Sequence, residues 1–306
     1  MSRFIQGELE LFHRCAYVPA SVGTFKHPFD DSLAKGMYRP EWTFVALAGD
    51  EVVGRIAFWG PPDSEHPFHL DYFDFDTVET GAALLRHAYG TVVTGGYRAP
   101  VGPRPTYELF LRDGWDQVPG AEGELRARRE AAEQGGLTFL RERLNLKWLP
   151  EYGLPERSTR LAFTPADDDE LLLELLSRIV VGSLDVSDQQ ELATKPPRQV
   201  AGQTLEEVAS MPGGRSRWRL GLHDGEPVGV VMGTRNPGSA TIGYIGVDPA
   251  HRGNGYAFDL LAEAMHLFAE EGEPRIGDAT DLGNTPMAAV FDRAGYRVTG
   301  RIMVFI

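Results

Sequence analysis

The sequence predicts an α/β protein in which one fold is written twice in tandem, each copy a mixed, mostly antiparallel β-sheet flanked by α-helices. Three observations carry this. The chain has 306 residues, 42% of them hydrophobic, enough for two cores of ordinary size. Three motifs recur in the same order, at offsets of 172 to 181 residues. In each copy the middle motif leads from an apolar strand into a helical segment.

In the first copy, "WTFVALAGDEVVGRIAF" from Trp42 reads as a β-hairpin turning at Gly49-Asp50, and "FWGPPDSEHPFH" (Phe58 to His69) as a long hairpin loop exposed to solvent. "YFDFD" (Tyr72 to Asp76) then runs into helical "ALLRHA", and "FLRDGW" (Phe110 to Trp115) precedes the strand-like "GLTFLRERLNLKWL". The proline- and glycine-rich "WLPEYGLPERS" (Trp148 to Ser158) marks a junction. The expected domains are therefore 1–149 and 158–306, with a linker at 150–157.

The second copy opens with helical "DDDELLLELLSRIVV", whose acids Asp167 to Glu170 suit the positive end of a helix. After the variable stretch Gly182 to Gly214 come the hairpin "WRLGLHDGEPVGVVMG", the middle motif "YIGVD" (Tyr244 to Asp248), and "FDRAGY" (Phe291 to Tyr296). Ala257, Leu260, Leu261, Ala264, Met265 and Phe268 fall on one face of a helix over 257–271, with Asp259, Glu263, His266 and Glu270 opposite and Gly272 as its stop. In "NTPMAAVFDRAGY", Thr285 suits an N-cap, Pro286 the first helical position and Gly295 the C-terminal cap.

Between the strand "TIGYIGV" and the 257–271 helix lies "VDPAHRGNGYA", with closely spaced Gly253 and Gly255. The first N–H groups of a helix lack partners within it, so a glycine turn feeding a helix attracts anions. The first copy has only "TVETGAA" at this point, with Glu79 in place of a basic residue. A carboxylate there would repel an anion.

Composition narrows the functions. The formal charge of −14 argues against nucleic acid as a partner; residues 151–306 hold 23 Asp/Glu against 14 Lys/Arg, an excess that fits a cationic partner better than an anionic one or that serves solubility alone. No run approaches a membrane span and the N-terminus has no apolar signal core, so the expectation is a cytoplasmic protein without a membrane partner. Cys15 stands alone, which excludes an internal disulfide and a cysteine-built zinc site. His13, His27, His66, His69 and His87 show no metal-ligand spacing, and no metal is expected.

"IGVDPAHRGNGYA" resembles the pyrophosphate-binding signature of the GNAT superfamily of acyl-CoA-dependent N-acyltransferases, Arg/Gln-x-x-Gly-x-Gly/Ala, on Arg252, Gly255 and Ala257. "NTPMAAVFDRAGY" resembles a second family segment, with Asn284, Met287, Gly295 and Tyr296 in the expected places. The resemblance covers 158–306 well and 1–149 as a degenerate copy, so the layout is similar to tandem GNAT proteins such as the mycothiol synthases. It implies acetyl-CoA as cofactor, its diphosphate on the turn of Arg252, Gly253, Asn254, Gly255, Tyr256 and Ala257, and its pantetheine arm along the backbones of Ile245 and Val247. Asn284 would contact that arm or brace its loop, and Arg252 would add charge or brace the turn. In the family the acyl group lies where the fourth and fifth strands splay. Asp278 is therefore the first candidate for the base that deprotonates an amine and Asp281 the second, both with a strand-end structural role as the alternative. Asp185 and Asp188 fall in the acceptor-side segment, facing either the amine pocket or solvent. Many members carry a tyrosine proton donor where this chain has Phe291. The expected function is N-acetylation of a small amine by a monomer or homodimer; the alternative is a protein that binds acyl-CoA without turning it over.

Overall fold

A computed structural model describes residues 2–17, 22–23, 28–97, 103–236 and 238–306; His27 lies outside them. The chain divides into two compact units, Met1–Glu142 with Gly300–Ile306, and Arg143–Thr299.

In the first unit, β1 (Arg3–Gln6), β2 (Thr43–Ala48), β3 (Glu51–Trp59) and β4 (His69–Phe75) pair antiparallel in sequence order. The helices of this unit are α1 (Leu9–His13), α2 (Phe29–Ala34), α3 (Val78–Val92) and α4 (Ala121–Gln134). β5 (Thr106–Arg112) runs parallel to β4 but pairs with it only at His69↔Thr106 and Leu70↔Tyr107. Residues 300–305 close the sheet against the other edge of β5. The hairpin expected after Trp42 is present, and Leu84, Leu85 and Ala88 of α3 pack on Phe44, Ile56 and Phe73 in one core. Cys15 is a buried member of a second, aromatic cluster around Phe12, Phe29 and Tyr72.

The second unit repeats the plan. Residues 143–148 of β6 (Phe139–Trp148) lie at one edge, followed by β11 (Ile276–Asp281), β10 (Ala240–Val247), β9 (Glu226–Arg235), β8 (Trp218–His223) and β7 (Ala162–Pro165). Only β10 and β11 are parallel. Each unit thus completes its sheet with a strand from the other copy's end of the chain: the last strand, β12 (Arg297–Phe305), supplies 300–305 to the first, and β6 supplies 143–148 to the second.

The hairpin β8–β9 turns on Asp224 and Gly225, both at positive φ, as a tight hairpin requires. α5 (Asp169–Ile179) begins at Asp168, whose carboxylate accepts from the N–H groups of Glu170 and Leu171 at 3.0 and 3.1 Å. α6 (Val186–Leu192) and α7 (Pro197–Ser210) fill the variable stretch, and α8 (Tyr256–Glu270) and α9 (Thr285–Arg293) follow the two family-like segments. Leu260, Leu261, Ala264, Met265 and Phe268 of α8 are buried, as the periodicity predicts; each large side chain of this set contributes about 1.5–3 kcal/mol by leaving water.

The polar face of α8 is partly covered: Asp259 and Glu263 are buried, while Glu270 stays exposed. Residues 155–160 run along it as a strap: His266 Nε2 meets the Pro155 carbonyl at 2.8 Å, Arg157 pairs with Glu263 at 2.7 Å and with Glu270, and Arg160 pairs with Asp259. Asp259 and Glu263 are buried beneath it. Among the described residues no helix is long and apolar enough to cross a membrane.

Candidate active site

β10 and β11 pair at Ala240↔Ile276 and then part. The Asp278 carboxylate spans the opening: Oδ1 accepts the Ile242 N–H at 2.7 Å and the Thr241 hydroxyl at 2.9 Å, replacing the ladder partner that a paired strand would provide. A register shift between Ile242 and Tyr244 turns β10 over at this point. Beyond it the Asp248 N–H bonds to Val228 of β9 at 2.9 Å, so by alternation the backbones of Ile245 and Val247 face the gap. That edge has the geometry to accept an extended amide chain as an added strand.

The glycine turn completes the strand's exit. Asp248 caps it through the Ala250 N–H at 3.0 Å and holds Arg178 Nε at 2.6 Å; burial raises its pKa, but these bonds outweigh burial and keep it below the ordinary aspartate value. Gly253 and Gly255 stand at φ +81° and +78°, the left-handed region that a β-branched residue avoids. A Cβ at Gly253 would meet nothing within 4 Å, and one at Gly255 only Arg160 Nη2 at 3.6 Å. No side chain caps the start of α8. The Phe258 N–H bonds to the Gly255 carbonyl at 3.1 Å, and the start of α8 is otherwise left without a side-chain cap at the positive end of the helix, a setting that fits a diphosphate.

Arg252 faces inward, donating to the carbonyls of Val247, Gly182 and Ile179 at 3.2, 2.9 and 2.7 Å. These three bonds tie the turn to the end of α5 and to β10. The cation on the outer side is Arg160, which donates to the Asn254 carbonyl at 2.8 Å and lies 5.4 Å from the centre of the Tyr256 ring. Nothing in the linear sequence singles out Arg160, because it lies 94 residues from Asn254. Asn254 Nδ2 closes on the His251 carbonyl at 3.0 Å, while the Tyr256 ring is buried against Leu161 and Val228, leaving its backbone for the turn; Ala257 follows in the first turn of α8.

Asp278 is 6% exposed, and burial raises its pKa to about 6 against the lowering effects of Ile242 N–H, Tyr296, Thr241 and Arg143. Asp281, on the same strand, accepts the Val186 N–H at 2.8 Å and so docks the first turn of α6, with Arg143 Nε 3.7 Å away. The structure gives Asp281 a docking partner and Asp278 a strand-bridging one. Asp185 caps α6 through Ser187 N–H at 2.7 Å, and Asp188 is buried and hydrogen-bonds the Tyr244 hydroxyl, whose pKa burial and these two carboxylates raise. Tyr244 thus belongs to the α6 side.

Asn284, not Thr285, is the N-cap of α9: its Oδ1 accepts the Met287 N–H at 3.3 Å, and Thr285 is the first helical residue. The correction is one position, because Asn and Thr compete for the same cap and Asn is the stronger acceptor. Phe291 is buried with the Tyr296 ring edge-on at 4.9 Å.

The equivalent place in the first unit is built differently. α3 is capped by Thr77, whose Oγ1 takes the Thr80 N–H at 3.2 Å. Val22 bridges Leu111 and the Gly23 N–H bonds to Phe110 at 2.9 Å, so the chain itself pairs along β5. Arg128 of α4 binds the Phe73 carbonyl and Asp74 on β4 and interacts with Tyr107 on β5. Among the described residues, no group of three or more His, Cys, Asp or Glu is placed to hold a metal.

Residues 187–296 match the model of the acetyltransferase (GNAT) family. A GCN5-related N-acetyltransferase from Sphaerobacter thermophilus is similar in fold over 100% of this chain and 94% of its own, with a TM-score of 0.60 and 16% identity. A tandem GNAT protein from the clavulanic acid biosynthesis pathway aligns over 100% and 98%, with a TM-score of 0.50 and 17% identity. A GCN5-related N-acetyltransferase from Kribbella flavida aligns over 83% and 87%, at 0.51 and 16%. No curated protein matches the sequence.

Proposed function

Residues 187–296 carry the GNAT acetyltransferase domain in a chain with the tandem GNAT fold, and on that premise we propose that the protein is an N-acetyltransferase acting on the amine of a small, cationic molecule, with its site in the second unit. One observation carries the reading: an uncapped, glycine-built helix start adjoins a strand edge left open by the parting of β10 and β11. Acetyl-CoA, when bound, supplies the activated acyl group.

The chain's own residues do the rest. Backbone N–H groups of the Gly253 to Ala257 turn hold the diphosphate, and Arg252 keeps that turn in shape. Ile245 and Val247 offer backbone groups to the pantetheine arm, while Asn284 braces the loop before α9. Asp278 Oδ2, the oxygen not committed to β10, takes the acceptor's proton; a carboxyl with a pKa of about 6 is ionised at neutral pH and basic enough to serve. Asp281 is the second candidate. Asp185, Asp188 and Asp281, gathered around the first turn of α6, favour a cation over an anion. The acceptor is a small molecule, not nucleic acid, and the protein works as a monomer or homodimer. The first unit, with a capped α3 and its β5 edge self-paired, holds no acyl-CoA.

Phe291 has no proton to give, and this favours a second reading, a module that binds acyl-CoA without turnover. Free thiol release from acetyl-CoA across a panel of mono- and diamines decides. Amine-dependent thiol release supports the enzyme; binding of acetyl-CoA with no release for any amine supports the module.

A further inference from the structure

Among the buried oxygens of the second unit, Oδ2 of Asp278 and the hydroxyl of Tyr296 belong to neighbouring groups, and each lacks a hydrogen bond of regular geometry. Tyr296 is 4% exposed and Asp278 6%. A buried polar atom without a partner is destabilising, so a hydroxyl placed in an apolar cluster calls for an explanation that a phenylalanine would not. The ring of Tyr296 meets the Phe291 ring edge-on at 4.9 Å within a cluster of apolar residues, where an apolar ring would serve equally. Its hydroxyl interacts with the Asp278 carboxylate. The other groups facing that carboxylate are the Thr241 hydroxyl and Ile242 N–H, both on Oδ1, and the more distant charge of Arg143 from β6. Oδ1 is thereby fixed to β10, and Oδ2 is left to Tyr296.

We propose that Tyr296 is a positioning residue that shares a proton hydrogen bond with Asp278, steadying Oδ2 when that carboxyl is ionised and releasing it when the carboxyl takes a proton. The functional consequence rests on the reading of Asp278 as the base. The pair itself does not, and the two are tested separately.

The test is carbon-13 NMR on the full chain, with labelled Asp carboxyl and Tyr Cζ carbons, titrated from pH 4 to 9 and assigned with Asp278→Asn and Tyr296→Phe. In the parent, the Tyr296 Cζ signal is expected to move with the same midpoint as the Asp278 carboxyl, and to be flat in Asp278→Asn. In Tyr296→Phe, loss of a donor to the ionised form raises the Asp278 midpoint by about half a unit or more. The acid limb of the pH–turnover profile should move up with it, at an amine concentration that keeps the panel's best acceptor saturating. A Tyr296 signal that ignores the Asp278 titration in the parent overturns the pair without needing the variant to fold. An unmoved Asp278 midpoint in a folded Tyr296→Phe overturns it as well. If the NMR coupling holds while Asp278→Asn keeps full turnover, the pair stands and the base assignment falls.

Discussion

At the scale of single residues, Asp278 combines two demands that one substitution separates. Its folded pKa of about 6 lies above the unfolded value near 3.9, so the native state binds the extra proton between those limits. Stability from this group is full below about pH 4 and is lost as pH rises through 6. Asp278→Asn keeps the Oδ1 acceptor for Ile242 and Thr241 without the charge, so it should be more stable than the parent at pH 8, by about 2–3 kcal/mol at most, with the gain vanishing near pH 4 in denaturant titrations. Its turnover should fall by about 10²-fold or more and recover partly at high pH, where the amine arrives neutral. Equal turnover and an unchanged pH profile would transfer the role to Asp281 or to solvent. Gly255→Val should abolish acetyl-CoA binding in calorimetry with the fold intact by circular dichroism, because a β-branched residue resists φ +78°.

At the scale of elements, periodicity and capping rules make α8, α9, the two hairpins and the glycine turn legible in the sequence itself. The parting of β10 from β11 is legible there only through family likeness, since hydrophobic patterns specify faces and not which neighbour a strand edge keeps. What has no signature is distant in sequence: Arg160 beside the turn, the Asp188–Tyr244 bond, and the strap over α8. The amphipathic pattern of α8 reads as one buried and one wet face, yet Asp259 and Glu263 of the second are buried under ion pairs with Arg160 and Arg157, and only Glu270 of the three acids stays exposed. Arg157→Ala leaves Glu263 under the strap without its partner, and with Arg157 half exposed the expected loss is about 1 kcal/mol in chemical denaturation. No loss would mean that the strap is held by Arg160 and the backbone alone.

At the scale of the whole molecule, the edge between β10 and β11 parts in the second unit, while the corresponding edge of β5 in the first is paired by Val22 and Gly23. Acetyl-CoA should bind with one equivalent per chain; calorimetry showing two equal sites would defeat the closed reading of the first unit, where Val22, Gly23 and Arg128 lie along β4 and β5. The exchange of edge strands makes a further demand. Deleting Gly300–Ile306 removes the partner of β5, so hydrogen exchange should quicken first in β4 and β5 and leave β8–β10 protected. During synthesis the same connectivity sets an order of events. A domain usually folds as its own stretch of chain leaves the ribosome, but here the first unit must wait, its sheet one strand short, until residues 300–306 have been translated. The second unit draws on residues 143–299 alone. The first unit's sheet is thus closed by residues that follow the whole of the second unit in sequence.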